Sequence, residues 1–320
     1  MGLHRRPLVH RDPRPAPTPI RAGPDAEPSV RVYRRVMEPT AAPHRPDRSA
    51  PGAAGWTPAS TVVAAVVALA LALAGRMALG DGREPRLAPT MLVIVLNLVP
   101  IGVIVVLARG HGTVSAPDFG LRRPPLLRAT VLIAAIGLTL FAVTALLVAL
   151  VGFGDEAPNY TLARAAVHGT PNALLVIVLV AVASPLGEEF LFRGFLYRAL
   201  VNWRGPLLAA FISTGVFAAF HIGWVPPAVL GLSVVFGLGM CLLYHRTGSL
   251  YPALGFHALL NASSIGTVPA WDWPLPLTMA AAVVATLAIA RLIAQLLGFP
   301  EDDHEVDVAE PTPSARGRSS

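Results

Sequence analysis

Sorted into hydrophobic and polar positions, the chain has a polar opening, a long alternation of apolar runs with short polar breaks, and a polar end. The apolar runs lie at 57–76, 89–108, 127–152, 171–203, 206–222, 226–244, 250–267 and 275–298. A helix needs about 20 residues to cross a ~30 Å hydrocarbon core. A chain in lipid must satisfy its backbone donors and acceptors within each span, so helix is the expected state of every run. The pattern predicts an all-α polytopic membrane protein of about eight transmembrane helices. Residues 1–55 are rich in Pro and Arg without an apolar run, which predicts a disordered cytoplasmic arm and no h-region of a signal peptide. The membrane domain is expected over 56–299, and the acidic, then polar, residues 300–320 predict a disordered tail.

One run departs from this pattern. Residues 171–203 read PNALLVIVLVAVASPLGEEFLFRGFLYRALVNW and carry Glu188, Glu189 and Arg193 inside an apolar segment. An uncompensated charge at the centre of a membrane helix costs about 2.5–3.5 kcal/mol, so each needs a partner, water or a task. The other ionisable residues well inside apolar runs are His221, His257 and, near the end of the last run, Arg291. Glu189 and Arg193, at i and i+4, share one helix face and read as an ion pair; Glu188 is turned ~100° away. Glu188 is then either a protonated core acid or a general base. Glu188 lies 15 residues before Trp203 and His221 lies 15 residues after Pro206, on either side of the turn at Arg204 and Gly205. In an antiparallel helical hairpin this sets both at one height, ~22 Å from the turn. His257 and Asn261, again i and i+4, point the same way and can both donate hydrogen bonds, as a developing oxyanion requires. Phe217, one turn before His221, reads as packing. The site is expected between the fourth, fifth and seventh helices.

Composition agrees and adds direction. The chain of 320 residues is 54% hydrophobic and 14% charged, with a formal net charge of +6. All the basic residues are Arg, ten of them within residues 1–55 and most others in short loops, which reads as span orientation rather than nucleic-acid binding. Arg109, Arg122, Arg123, Arg128, Arg204 and Arg246 fall in connections of one side, which puts both termini in the cytoplasm; Arg83 and Arg86 on the assigned outer side run against this. All five Trp (Trp56, Trp203, Trp224, Trp271 and Trp273) lie near span ends and read as interfacial anchors. The single Cys241 excludes an internal disulfide or a CxxC site.

Three motifs on three apolar runs, EExxxR at Glu188, Glu189 and Arg193, FxxxH at Phe217 to His221, and HxxxN at His257 to Asn261, resemble the CPBP intramembrane proteases. That family includes CAAX prenyl endopeptidases and bacterial bacteriocin-processing and immunity proteins, and the resemblance covers about 171–266. It implies an endopeptidase of the bacterial plasma membrane acting on membrane-associated proteins or peptides, with no nucleic-acid partner. By residue, it implies that Glu188 and His221 activate a water, that His257 and Asn261 hold the oxyanion, and that Glu189 and Arg193 orient the site. The family is often classed with metalloproteases, and Glu188, His221 and His257 are ligand types that suit zinc. A metal-free, glutamate-activated water is the reading the His257 and Asn261 face favours, because a metal-bound His257 cannot also be an oxyanion donor. The rival readings are a non-catalytic scaffold or immunity protein of the same fold, and a proton-coupled transporter using these residues as a relay.

Overall fold

Every one of the eight apolar runs forms a helix in the computed structural model, which describes residues 55–79, 87–151, 170–223, 225, 227–265 and 274–298. All lie in one compact unit, Ser49–Ser320. The arm expected over 1–55 (Gly55 apart), the tail over 300–320, the stretch 153–169, Arg83, Arg86 and Trp224, Trp271 and Trp273 fall outside the described residues. The helices are α1 (Pro58–Leu79), α2 (Leu87–Arg109), α3 (Leu126–Val151), α4 (170–204), α5 (Pro206–Phe220), α6 (Pro227–Thr247), α7 (Tyr251–Ile265) and α8 (Leu275–Leu297). Among the described residues there is no strand, only an isolated bridge between Ile222 and Val225. Large apolar side chains such as Leu127, Leu138, Phe141 and Leu150 on α3 are exposed, as expected of surfaces that face lipid.

Six of the helical stretches are long and apolar enough to cross a membrane: Pro58–Leu79, Leu87–Arg109, Leu126–Leu150, Leu174–Arg204, Val229–Thr247 and Leu275–Leu297. The chain is a multi-pass membrane protein. The other two helices are shorter than the sequence pattern implied. α5 and α7 have 15 residues each, so each rises only ~22 Å against a ~30 Å core. A turn through Gly205, with Pro206 at the first helical position, starts α5, and its last turn closes at His221. The two short helices carry the two histidine motifs.

α4 is not a regular helix. Its backbone is α-helical over Thr170–Ile177, π-helical over Val178–Ala183, α-helical over Ser184–Glu189, π-helical over Phe190–Tyr197 and α-helical again over Arg198–Arg204. π-helical turns are rare and concentrate at functional sites. α2 packs along the Ser184–Glu189 stretch. The approach is so close that a Cβ on Gly187 would lie 2.1 Å from the Asn97 carbonyl oxygen.

One end of the bundle is closed by the segment between α2 and α3. A 3-10 turn at Ala116–Phe119 is held by Asp118, which accepts from the Ser115 N–H at 2.8 Å and the Ser115 hydroxyl at 2.9 Å. Phe119 and Leu121 are fully buried. The Leu250 N–H donates to the Gly120 carbonyl at 2.7 Å, Arg122 to the Gly248 carbonyl at 2.6 Å and Arg128 to the Arg246 carbonyl at 3.1 Å. Arginines thus cap the C-terminal end of α6, where the helix dipole favours cations. Trp56 departs from the anchor reading: it is 5% exposed and packs edge-on against Phe119 and at a tilt against Phe195, each at 4.8 Å. Its indole ties α1 to the bundle, whereas Trp203 is exposed as an interfacial residue should be.

Gly120 is the weak point of this closure. Its φ of 82° lies in the left-handed region, and a Cβ there would sit 2.6 Å from the Tyr244 ring. Gly120→Ala is expected to destabilise the protein by at least ~1 kcal/mol from backbone conformation alone. Thermal unfolding in detergent, with Gly110→Ala as a control, measures it.

Candidate active site

The two charges that α4 buries most deeply neutralise each other. Glu189 and Arg193 are each 0% exposed, and Arg193 Nη1 donates to Glu189 Oε1 at 2.8 Å. The second guanidinium nitrogen, Nη2, reaches the Gly237 carbonyl of α6 at 3.3 Å. The guanidinium carbon stands 4.8 Å from the centre of the Phe217 ring on α5, a cation–π geometry suited to a desolvated arginine. The buried pair follows from the sequence spacing of i and i+4. Its hold on α5 and α6 does not.

His257 completes the cluster from α7. Its Nδ1 lies 2.8 Å from the same Glu189 Oε1 that Arg193 occupies. A carboxylate only accepts, so Nδ1 is the nitrogen that carries the proton. Nε2 is thereby turned toward Glu188, 3.8 Å from its Oε2. Glu188 is 22% exposed, and its Oε1 accepts a short hydrogen bond from the Ser184 hydroxyl, one turn earlier on the regular α-helical stretch. Ser184 is a site residue the sequence reading missed, although its i−4 spacing from Glu188 was the available signal. Among the described residues three buried side-chain atoms have no hydrogen-bond partner: Glu188 Oε2, Glu189 Oε2 and Arg193 Nε.

His221 and Asn261 occupy the edges of this arrangement. His221 caps the C-terminal end of α5, with Nδ1 2.9 Å from the Phe217 carbonyl and its ring 4.6 Å from the Phe217 ring. Among the described residues no hydrogen bond or ion pair joins it to Glu188; the equal height inferred from the sequence fixes level but not contact. Phe217 is the link, because its ring also faces Arg193 and lies 6.4 Å from His257. Asn261 Nδ2 donates to the Val180 carbonyl of α4 at 2.8 Å, which leaves its second N–H for another acceptor. The structure therefore brings Glu188, Glu189, Arg193 and His257 into one hydrogen-bonding and electrostatic cluster, with His221 and Asn261 attached through Phe217 and Val180.

Among the described residues no group of three or more His, Cys, Asp or Glu side chains is arranged to hold a metal ion. Nδ1 of His257 faces Glu189 and Nδ1 of His221 faces the Phe217 carbonyl, which leaves Nε2 of each as the ring nitrogen a metal would bind.

Residues 170–263 match the family model described as type II CAAX prenyl endopeptidase Rce1-like. The matched segment spans α4, α5, α6 and nearly all of α7, and so includes all six site residues; α1, α2, α3 and α8 lie outside it. No curated protein and no solved structure gives a significant match.

Glu189 is the residue whose loss leaves the most uncompensated charge. Glu189→Ala strands the Arg193 guanidinium in an apolar bundle and is expected to destabilise by about 3–5 kcal/mol. The double variant Glu189→Ala with Arg193→Met removes that charge as well. Unfolding measurements in detergent should show the double variant to be more stable than Glu189→Ala alone.

Proposed function

We propose that the protein is an intramembrane endopeptidase that hydrolyses peptide bonds of membrane-associated proteins or peptides with a water activated by Glu188 and His221. The observation that carries this reading is Glu188 itself. One of its oxygens is fixed by Ser184, while the other is unpartnered and faces His257 Nε2 at 3.8 Å. A carboxylate held in this way, in a low-dielectric site, is suited to take a proton from water. The water oxygen attacks the peptide carbonyl carbon and its proton passes to Glu188, with His221 orienting the water. His257, held through Nδ1–H by Glu189, presents Nε2; once the ring takes up a second proton, at Nε2, it donates to the carbonyl oxygen as that atom becomes an oxyanion, joined by the free N–H of Asn261. Glu188 returns its proton to the leaving amine, the C–N bond breaks, and a carboxylic acid and an amine leave. Glu189 and Arg193 act by holding His257. No step requires a metal.

The arginine-capped end of the bundle is the cytoplasmic side in this reading, since Arg122, Arg128 and Arg246 gather there. A cysteine at position 246, in a protein lacking Cys241, should then resist an impermeant external reagent and react after permeabilisation. Reaction in intact cells reverses the orientation.

Purified protein in lipid should cleave members of a labelled membrane-protein library, which a scaffold or a transporter would not do. Glu188→Gln and His221→Ala should each lower the rate by at least ~10²-fold while the protein still folds. Asn261→Ala should lower it by roughly 10²–10³-fold. The Glu188→Gln, His221→Ala double variant should be little worse than either single one, because both act on one water. Wild-type cleavage by Glu188→Gln contradicts the assignment.

A further inference from the structure

Pro185 sits three residues before Glu188, inside α4, and has no backbone N–H to give. The preceding donor, Ser184 N–H, reaches back five residues to the Leu179 carbonyl, in π-helical register. In that register the next donor would be residue 185 and its acceptor Val180; in α-helical register the acceptor would be Ala181. Pro185 can serve neither, and because the register changes from π to α at this point, the carbonyls of Val180 and Ala181 are the pair left to donors from elsewhere. Both find one. Asn261 Nδ2 of α7 donates to the Val180 carbonyl at 2.8 Å. Thr286 Oγ1 of α8 donates to the Ala181 carbonyl at 3.2 Å, and both partners are buried. On the other side of the two glutamates, the Ser213 hydroxyl of α5 donates to the Phe192 carbonyl at 3.0 Å, also fully buried.

We propose that Thr286, which lies on α8 outside the matched segment, is a positioning residue for Glu188. By satisfying the Ala181 carbonyl it fixes where the π-helical stretch hands over to the α-helical one. That handover sets the azimuth of the short stretch Ser184–Glu189, and with it the direction in which Glu188 points. An α-helical rewinding of Val178–Ala183 would rotate this stretch and carry Glu188 away from His257. The same pair of carbonyls gives Asn261 a second task, that of a clip on Val180. A hydroxyl and an amide from two different helices, placed on the two consecutive carbonyls where a proline meets the change of register, make a joint rather than incidental packing.

The consequence for catalysis rests on the endopeptidase reading, so the test has one arm that does not use activity. In a Cys241→Ala protein, Glu188→Cys provides a thiol whose rate of modification by N-ethylmaleimide reports the direction of position 188, and Trp203→Cys at the far end of α4 is the control. Thr286→Val should change the rate at 188 several-fold and leave that at 203 unchanged, and Thr286→Ser, which keeps the hydroxyl, should restore it. An unchanged rate at 188, or a Thr286→Ser protein that behaves like Thr286→Val, overturns the proposal. In the otherwise native protein, Thr286→Val should lower kcat by about 10- to 100-fold, the scale of a misplaced catalytic group, with little change in KM. Pro185→Ala returns a backbone N–H to the carbonyl pair, so the rate change that Thr286→Val causes at position 188 should shrink in that background; an undiminished effect also overturns the proposal. A rate change at 188 on Thr286→Val, together with a wild-type protein that cleaves no substrate, would sink the endopeptidase reading and leave the positioning role standing.

Discussion

A single carboxylate oxygen, Glu189 Oε1, receives both the Arg193 guanidinium and the His257 imidazole at 2.8 Å. In an apolar bundle Arg193 could not be held otherwise, since an ionised group without its counter-charge costs several kcal/mol to bury. The ion pair cancels the charge, and the shared oxygen converts that cancellation into geometry. Arg193 continues to the Gly237 carbonyl and the Phe217 ring, so α4, α5, α6 and α7 are tied to one point. Loss of Glu189 would therefore loosen four helices rather than one contact.

The backbone of α4 serves the same end. Two π-helical stretches flank a six-residue α-helical piece that carries Ser184, Glu188 and Glu189. That piece is fixed on three sides: by the Asn97 carbonyl of α2, which leaves no room for a Cβ at Gly187; by Asn261 and Thr286 on the carbonyls Pro185 leaves open; and by the Glu189 cluster. Irregular helical backbone in a membrane is tolerated where neighbouring side chains satisfy the freed groups, and here those side chains come from the helices that build the site.

Much of this could be read in the sequence, for reasons that differ by residue. The eight helices follow from the apolar runs because lipid allows almost no other state, and the Glu189–Arg193 pair follows from a spacing of four within one helix. The azimuth of everything else did not follow. Reading α4 with a uniform 3.6-residue repeat assigned the heights of Glu188 and His221 but could not show that the 8 π-helical residues Phe190–Tyr197 change the rotation between them. Thr286 was invisible for another reason, since a threonine in an apolar helix usually bonds its own backbone; Ser184 was passed over on the same expectation, although its spacing from Glu188 pointed to it. Trp56 was misplaced because the interfacial rule describes helix ends that meet lipid, and this end meets the buried Phe119.

The proton on His257 is the most direct test of how the site is held. Nitrogen-15 spectra of the histidine side chains, with His257 identified by its loss in His257→Gln, report which ring nitrogen is protonated. The arrangement predicts a protonated Nδ1 in the wild-type protein, and a proton no longer confined to Nδ1 in Glu189→Gln. An unprotonated Nδ1 in the wild-type protein would mean that Glu189 does not accept from His257, and would contradict the shared-oxygen cluster on which the site is built.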